Sequence, residues 1–176
     1  MLNKRNQTFE TNSSSTHAIC IVKESKNIEI PNRICLDLND YEFGWSFKEY
    51  DEYDSKLAYI LIEILKYRDI IIASERLHII LEMLKEMGIK RIEIKGIEFH
   101  TDEYENEPYF YIPDGYVDHS DELYELIDAL LSDKDLLERY LFEPKSFIAT
   151  GNDNSDYDEP STYQYEKTHD IYWKGN

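Results

Sequence analysis

The chain has 176 residues, close to the length of one domain and long enough to bury a core without disulfide or metal staples. Its 19 Lys and Arg against 37 Asp and Glu leave a net charge of −18, which repels phosphate and anionic lipid and excludes the ordinary basic-patch route to direct nucleic-acid binding. No apolar run approaches the roughly 20 residues that span a bilayer, and the N-terminal Met1–Arg5 leads into polar residues rather than an apolar signal core, so a cytoplasmic protein is expected.

The 14% aromatic content, with Ile and Leu in periodic segments, supplies a core despite the charge. Short strands are predicted at His17–Val22, Asn27–Ile30 and Arg33–Leu38, each β-branched or alternating and bounded by polar residues or Pro31. Leu57, Ile60, Leu61, Ile64 and Leu65 then mark a helix capped by Ser55. A second helix carries Leu77, Ile80, Leu81, Leu84 and Met87, with Ser74 as its cap and Gly88 as its terminator. The link Asp69–Ala73 fits a connection or a continued first helix equally well. Alternation over Ile89–Lys95 predicts a half-exposed strand, and Pro108–Ile112 another. After the Asp114-Gly115 turn, Ser120 should cap a helix through Leu131, and Asp133 a short helix ending before Pro144. Ser146–Thr150 reads as a strand breaking at Gly151, followed by a polar, Tyr-rich tail from about residue 152 in which only Asp170–Trp173 could dock. The expectation is a single α+β domain over residues 1–176, with a mixed or antiparallel sheet and two helical pairs. Cys20 and Cys35 form no CxxC pair and are expected to be reduced.

Three polar stretches carry chemistry-bearing side chains. The first, Thr8 to His17, includes Asn12, Ser13, Ser14 and Ser15. It can serve as a ligand-facing loop with His17 as acid, base or metal ligand, or simply as a turn bonding its own backbone. A serine nucleophile is disfavoured because the G-x-S-x-G elbow is absent. The second holds Asp118 and His119 before Ser120, a carboxylate and an imidazole of the kind that share divalent cations in metallohydrolases, at a place where capping alone also wants Asp and Ser. In the third, Asn152, Asp153 and Asn154 follow Gly151 at a strand end. An EF-hand register there fails, since Glu159 falls where Gly is required and Tyr165 where the bidentate Glu belongs. His100 has no evident sequence partner.

The acidity is uneven. Residues 1–88 hold 11 basic and 15 acidic residues, residues 89–176 hold 8 and 22, and between Gly96 and Asp133 there is no Lys or Arg at all. Within that stretch Asp102, Glu103, Tyr104, Glu105, Glu107, Tyr109, Asp121, Glu122 and Glu125 interleave carboxylates with tyrosine. Such a surface can simply be solvated, or its carboxylates can take the place of phosphates against Arg and Lys of a partner, with tyrosine as anchor.

The run Phe9-Glu10-Thr11-Asn12-Ser13-Ser14-Ser15-Thr16-His17, with Val117-Asp118-His119-Ser120 and Thr150–Asn154, resembles a group of small proteins encoded by bacteriophages and prophages of low-GC bacteria. The resemblance implies phage origin. By analogy with phage inhibitors of host defence that mimic nucleic acid, it leads to an anti-defence, anti-CRISPR type of binding protein that needs no cofactor and occludes a basic nucleic-acid-handling effector. The alternative is a metal-dependent phosphoester or nucleotide hydrolase, with His17, Asp118, His119 and Asp153 as ligands of a divalent metal, His17, Asp118 and His119 as its catalytic groups, and Asn12 or Asn152 orienting substrate.

Overall fold

Residues 56–65 are buried without a break, so helix α1 (Tyr53–Leu65) is apolar on all sides and becomes the axis around which the other elements pack. The computed structural model describes residues 15–23, 28–44, 46–67, 69–102, 107–118, 123–152 and 173–175. The only charged side chains in the buried run of α1 are Lys56 and Glu63, and both have polar partners close by. Lys56 Nζ donates to the carbonyls of Ser146 (2.8 Å) and Glu143 (3.2 Å), and Glu63 pairs with Lys66 at 2.8 Å. Tyr140, fully buried, donates its hydroxyl to the carbonyl of Lys56. One turn of α1 is thereby tied to helix α4 (Lys134–Phe142) and to the link that follows it.

The principal sheet has the order β10-β1-β9-β4 and is antiparallel throughout: β1 (Ser15–Cys20) lies between β9 (Phe147–Asn152) and β10 (Trp173–Gly175), and β4 (Lys48–Tyr50) flanks β9. Register puts Ile19 opposite Ile148 on the face that packs on α1. Ala18 and Cys20, opposite Ala149 and Phe147, form a second small cluster with Phe47 on the other face. Two parallel pairs join distant segments: β2 (Arg33–Asp37) with β5 (Arg91–Lys95), and β3 (Glu42–Phe43) with β8 (Tyr116–Val117). Strands β6 (Glu98–Thr101) and β7 (Pro108–Tyr111) make a separate antiparallel ribbon. Helices α2 (Ile70–Glu86) and α3 (Tyr124–Ser132) complete an α+β domain.

Several local expectations shift. Residues 28–30 form no strand; Ile28 and Ile30 pack on the core as irregular chain ahead of Pro31. Segment 69–73 is the start of α2, because Asp69 accepts from the amides of Ile71 (2.9 Å) and Ile72 (3.3 Å); the cap is therefore Asp69 and not Ser74. Helix α1 begins before Ser55, with Glu52 at the cap position and no side-chain cap bond. Asp133 does cap α4 through the Leu136 amide, whereas α3 starts at Tyr124 with Leu123 and not Ser120 at its cap position, and Ser120 itself lies outside the described residues. Strand β9 continues through Gly151 because β1 pairs it to Asn152. Strands β4 and β6 and the two-residue strands β3 and β8 are additions to the expected set. Both cysteines are free, Cys20 buried and Cys35 exposed. Gly88 ends α2 at φ +100°, the left-handed terminator expected of it, and Gly115 is required because a Cβ there would run into the carbonyl of Leu38.

Candidate functional site

The described ends of the three polar stretches, Ser15–His17, Asp118 and the backbone of Thr150–Asn152, lie together. Strand β1 carries Ser15 and His17 on the same face as Ile19, and antiparallel pairing sets Ser15 opposite Asn152, Thr16 opposite Gly151 and His17 opposite Thr150. Asp118 reaches this face from the end of β8, whose pairing with β3 is extended by the Asp118 amide donating to the Phe43 carbonyl at 2.8 Å. Ser15 Oγ donates to Asp118 Oδ2 (2.9 Å) and lies 3.1 Å from the Asp118 carbonyl, and His17 Nε2 donates to that same carbonyl at 2.6 Å. A carbonyl only accepts, so Nε2 carries the proton and a neutral His17 presents its lone pair at Nδ1. The His17 ring lies 5.8 Å from that of Tyr59. Tyr59 is wholly buried, has no hydrogen-bond partner for its hydroxyl among the described residues, and is held well above the usual tyrosine pKa by burial and then by the Glu63 charge. Thr150 Oγ1 donates to the Ser46 carbonyl at 2.8 Å, fastening β9 to the chain before β4.

Ser15 and His17 are both completely buried, so in this geometry they clamp the Asp118 turn onto the sheet and present no nucleophile to solvent. Of the proposed metal ligands, His17 and Asp118 meet through the Asp118 main chain; His119 and Asp153 lie outside the described residues, as do Asn12, Ser13, Ser14 and Asn154, and only the backbone of Asn152 is described. Among the described residues no group of three or more His, Cys, Asp or Glu side chains is arranged to hold a metal ion.

The acidic stretch is displayed differently. Glu98, Glu107, Asp114, Glu125, Asp128 and Asp133 are exposed and Asp102 is half-buried, while Glu103, Tyr104, Glu105, Asp121 and Glu122 lie outside the described residues. On the β6–β7 ribbon His100, thought solitary from sequence, pairs with Glu98 at 2.8 Å and packs its ring against Tyr111 (5.1 Å) and Tyr109 (5.9 Å). The signal for that cluster was alternation: Glu98 and His100 share one face of a strand. Phe99, Tyr111, Tyr116 and Tyr124 are large and 40% to 64% exposed. Between the ribbon and the end of α1 lies a cavity of about 260 Å³ walled by Tyr67, Tyr109 and Phe110, with Asp102 and Glu107 at its edge. Tyr67 meets Tyr124 of α3 edge-on at 4.9 Å, so this wall links the ribbon to the acidic face of α3. No helix among the described residues is long and apolar enough to cross a membrane. Neither family models, nor curated proteins, nor solved structures yield a match to this chain.

Proposed function

We propose that the chain is a binding protein that occludes a basic, nucleic-acid-handling protein, presenting carboxylates where that partner would otherwise meet phosphates. The observation that carries this reading is the placement of aromatic side chains. Of the six large apolar side chains exposed among the described residues, four (Phe99, Tyr111, Tyr116 and Tyr124) fall between Gly96 and Asp133, the stretch devoid of Lys and Arg. A face serving only solubility gains nothing by exposing aromatic rings, whereas tyrosine among charges is the composition of a recognition surface. The resemblance to phage proteins makes a host defence effector, a CRISPR or restriction component in the host cytosol, the natural partner. The test is retention of such a protein by the immobilised chain. Free DNA or RNA should compete, retention should weaken between low and physiological salt, and reversal of Asp102, Glu103, Glu105 and Glu107 to Lys should abolish it. A partner that binds nucleic acid and this chain simultaneously would rule the reading out.

The second reading, the metal-dependent hydrolase, rests on the polar motifs around His17, His119 and Asp153 and on the proximity of His17 to Asp118, although the bond between those two is to the Asp118 main chain. Incubation with Mn²⁺, Mg²⁺ or Zn²⁺ and a panel of nucleotides and phosphodiesters tests it: turnover lost in His119→Ala supports it, and absence of both metal uptake and turnover removes it.

A further inference from the structure

Strand β6 presents an open edge. Among the described strands it is hydrogen-bonded to β7 alone, and all four of its residues are exposed, whereas β7 also contacts α2. The ladder fixes which backbone groups of β6 face outward. The Asp102 amide donates to the Glu107 carbonyl at 2.9 Å, one step beyond the pairing of Thr101 with Pro108. Bonded and non-bonded pairs alternate along an antiparallel ladder, so His100 and Glu98 direct their amides and carbonyls to β7, opposite Tyr109 and Tyr111. Pro108, which has no N–H, falls at a non-bonded pair with Thr101, as it must. Phe99 and Thr101 are left with N–H and C=O groups turned to the open edge.

Devices that blunt such an edge are missing from it. Strand β6 holds no Lys, Arg or Pro, and its pairing with β7 runs without a bulge. It offers instead Phe99, 64% exposed, whose ring lies 6.2 Å from that of Phe110 on the side facing the main core. Glu98 and His100 occupy the opposite face. A second β6 running antiparallel about a two-fold axis at Phe99 meets a complementary sequence. Phe99 faces its own copy as a bonded pair, and each Glu98 faces His100 of the other chain as a non-bonded pair, the kind whose Cα atoms approach to about 4.5 Å. Moving the axis to His100 would set Glu98 against Asp102, like charge against like, so charge selects the first register. We propose that the chain forms a two-fold dimer by pairing β6 with β6 of a second copy, which joins the two ribbons into one four-stranded antiparallel sheet. The inference is independent of the occlusion of a basic protein.

The experiment combines sedimentation and amide hydrogen exchange on the full chain at about 0.3 M NaCl, where the mutual repulsion of two chains of −18 is screened. Four residues make a short interface, so the expected Kd is on the order of 100 µM. Between about 20 µM and 1 mM the mass should rise from one chain towards two, and the amides of Phe99 and Thr101 should slow about fourfold while those of Glu98 and His100, already bonded within the ribbon, do not change. Phe99→Pro removes an outward N–H and no bond to β7, and should weaken association at least about tenfold. Charge variants at exposed positions give a test that spares the fold. His100→Glu alone and Glu98→Lys with His100→Lys should each be monomeric, and their mixture should dimerise, because every facing pair is then opposite in charge. A chain that stays monomeric to about 1 mM overturns the proposal. So does a dimer without the alternating protection, which uses another face, and so does a dimer that both charge variants form as readily as the native chain.

Discussion

Lys56 is the residue whose burial has the clearest thermodynamic signature. Its side chain is fully buried, and desolvation lowers its pKa from 10.5 to about 8 against the opposing pull of Asp51 and Glu143. A depressed folded-state pKa means the unfolded chain binds the proton more tightly, so stability rises as pH climbs from about 8 towards 10.5 and is lost as pH falls through 8. The stability difference between the native chain and Lys56→Met should therefore move in favour of the native chain by about 2 kcal/mol between roughly pH 7.5 and pH 10, read from urea midpoints. Above pH 10 Tyr59 and Tyr140, both held well above the usual tyrosine pKa by burial, act with the opposite sign, because only the unfolded chain ionises them. Ser15 offers a second residue-scale test. Its hydroxyl is spent on Asp118 in a fully buried position, so Ser15→Ala should cost about 1–3 kcal/mol in unfolding free energy. Burial of His17 departs from its expected place in a ligand-facing loop or a turn: it shares strand parity with Ile19 and Ile21, which places it on the core face. Lys56 was not legible from its own residue type. The signal was the company it keeps, a helix with too few polar positions to own a solvent face.

At the scale of elements, caps discriminate between the expected and observed helix starts. Asp69→Ala should cost about 1 kcal/mol by removing two amide contacts at the start of α2, whereas Ser74→Ala, one turn inside the helix and exposed, should stay within about 0.5 kcal/mol in the same denaturation experiment. Helix periodicity found the four α-helices among the described residues because each carries apolar residues at 3.6-residue spacing, and it misplaced the α2 start because Ile70–Ala73 continue the apolar run and hide the boundary. Strand β9 ran past Gly151 because pairing to β1 outweighs the local preference of Gly and Asn for a turn. Strands β3 and β8 have two residues each, too few for any alternation to register, and β6 is exposed along its whole length, so no hydrophobic pattern marked it. Of the candidate site, the convergence of β1, Asp118 and β9 could be posed as a question from motif content, but only long-range pairing could answer it. The cavity beside the ribbon was invisible, since Tyr67 and Tyr109 come together only when the end of α1 and the ribbon pack.

For the whole molecule, a net charge of −18 on one domain is a standing self-repulsion that salt screens. Melting temperature should rise by about 3 °C between 0.02 M and 0.3 M NaCl, since about 1 kcal/mol of relieved repulsion shifts a domain of this size by roughly 2–4 °C; partner retention should fall over the same range. The opposite signs distinguish a charge kept for docking from one that stabilises the fold. The central sheet carries a different consequence, one that concerns synthesis. Ile19 faces Ile148 and also Trp173, so β1 leaves the ribosome long before either neighbour exists. Until translation has passed Asn152, a wholly buried strand must wait with both edges open, exposed to chaperones and to copies of itself on neighbouring ribosomes of the same message. Slow elongation through the central helices would prolong that wait, so the yield of soluble chain should depend on codon speed between β1 and β9 more than on the strength of any contact in the finished domain.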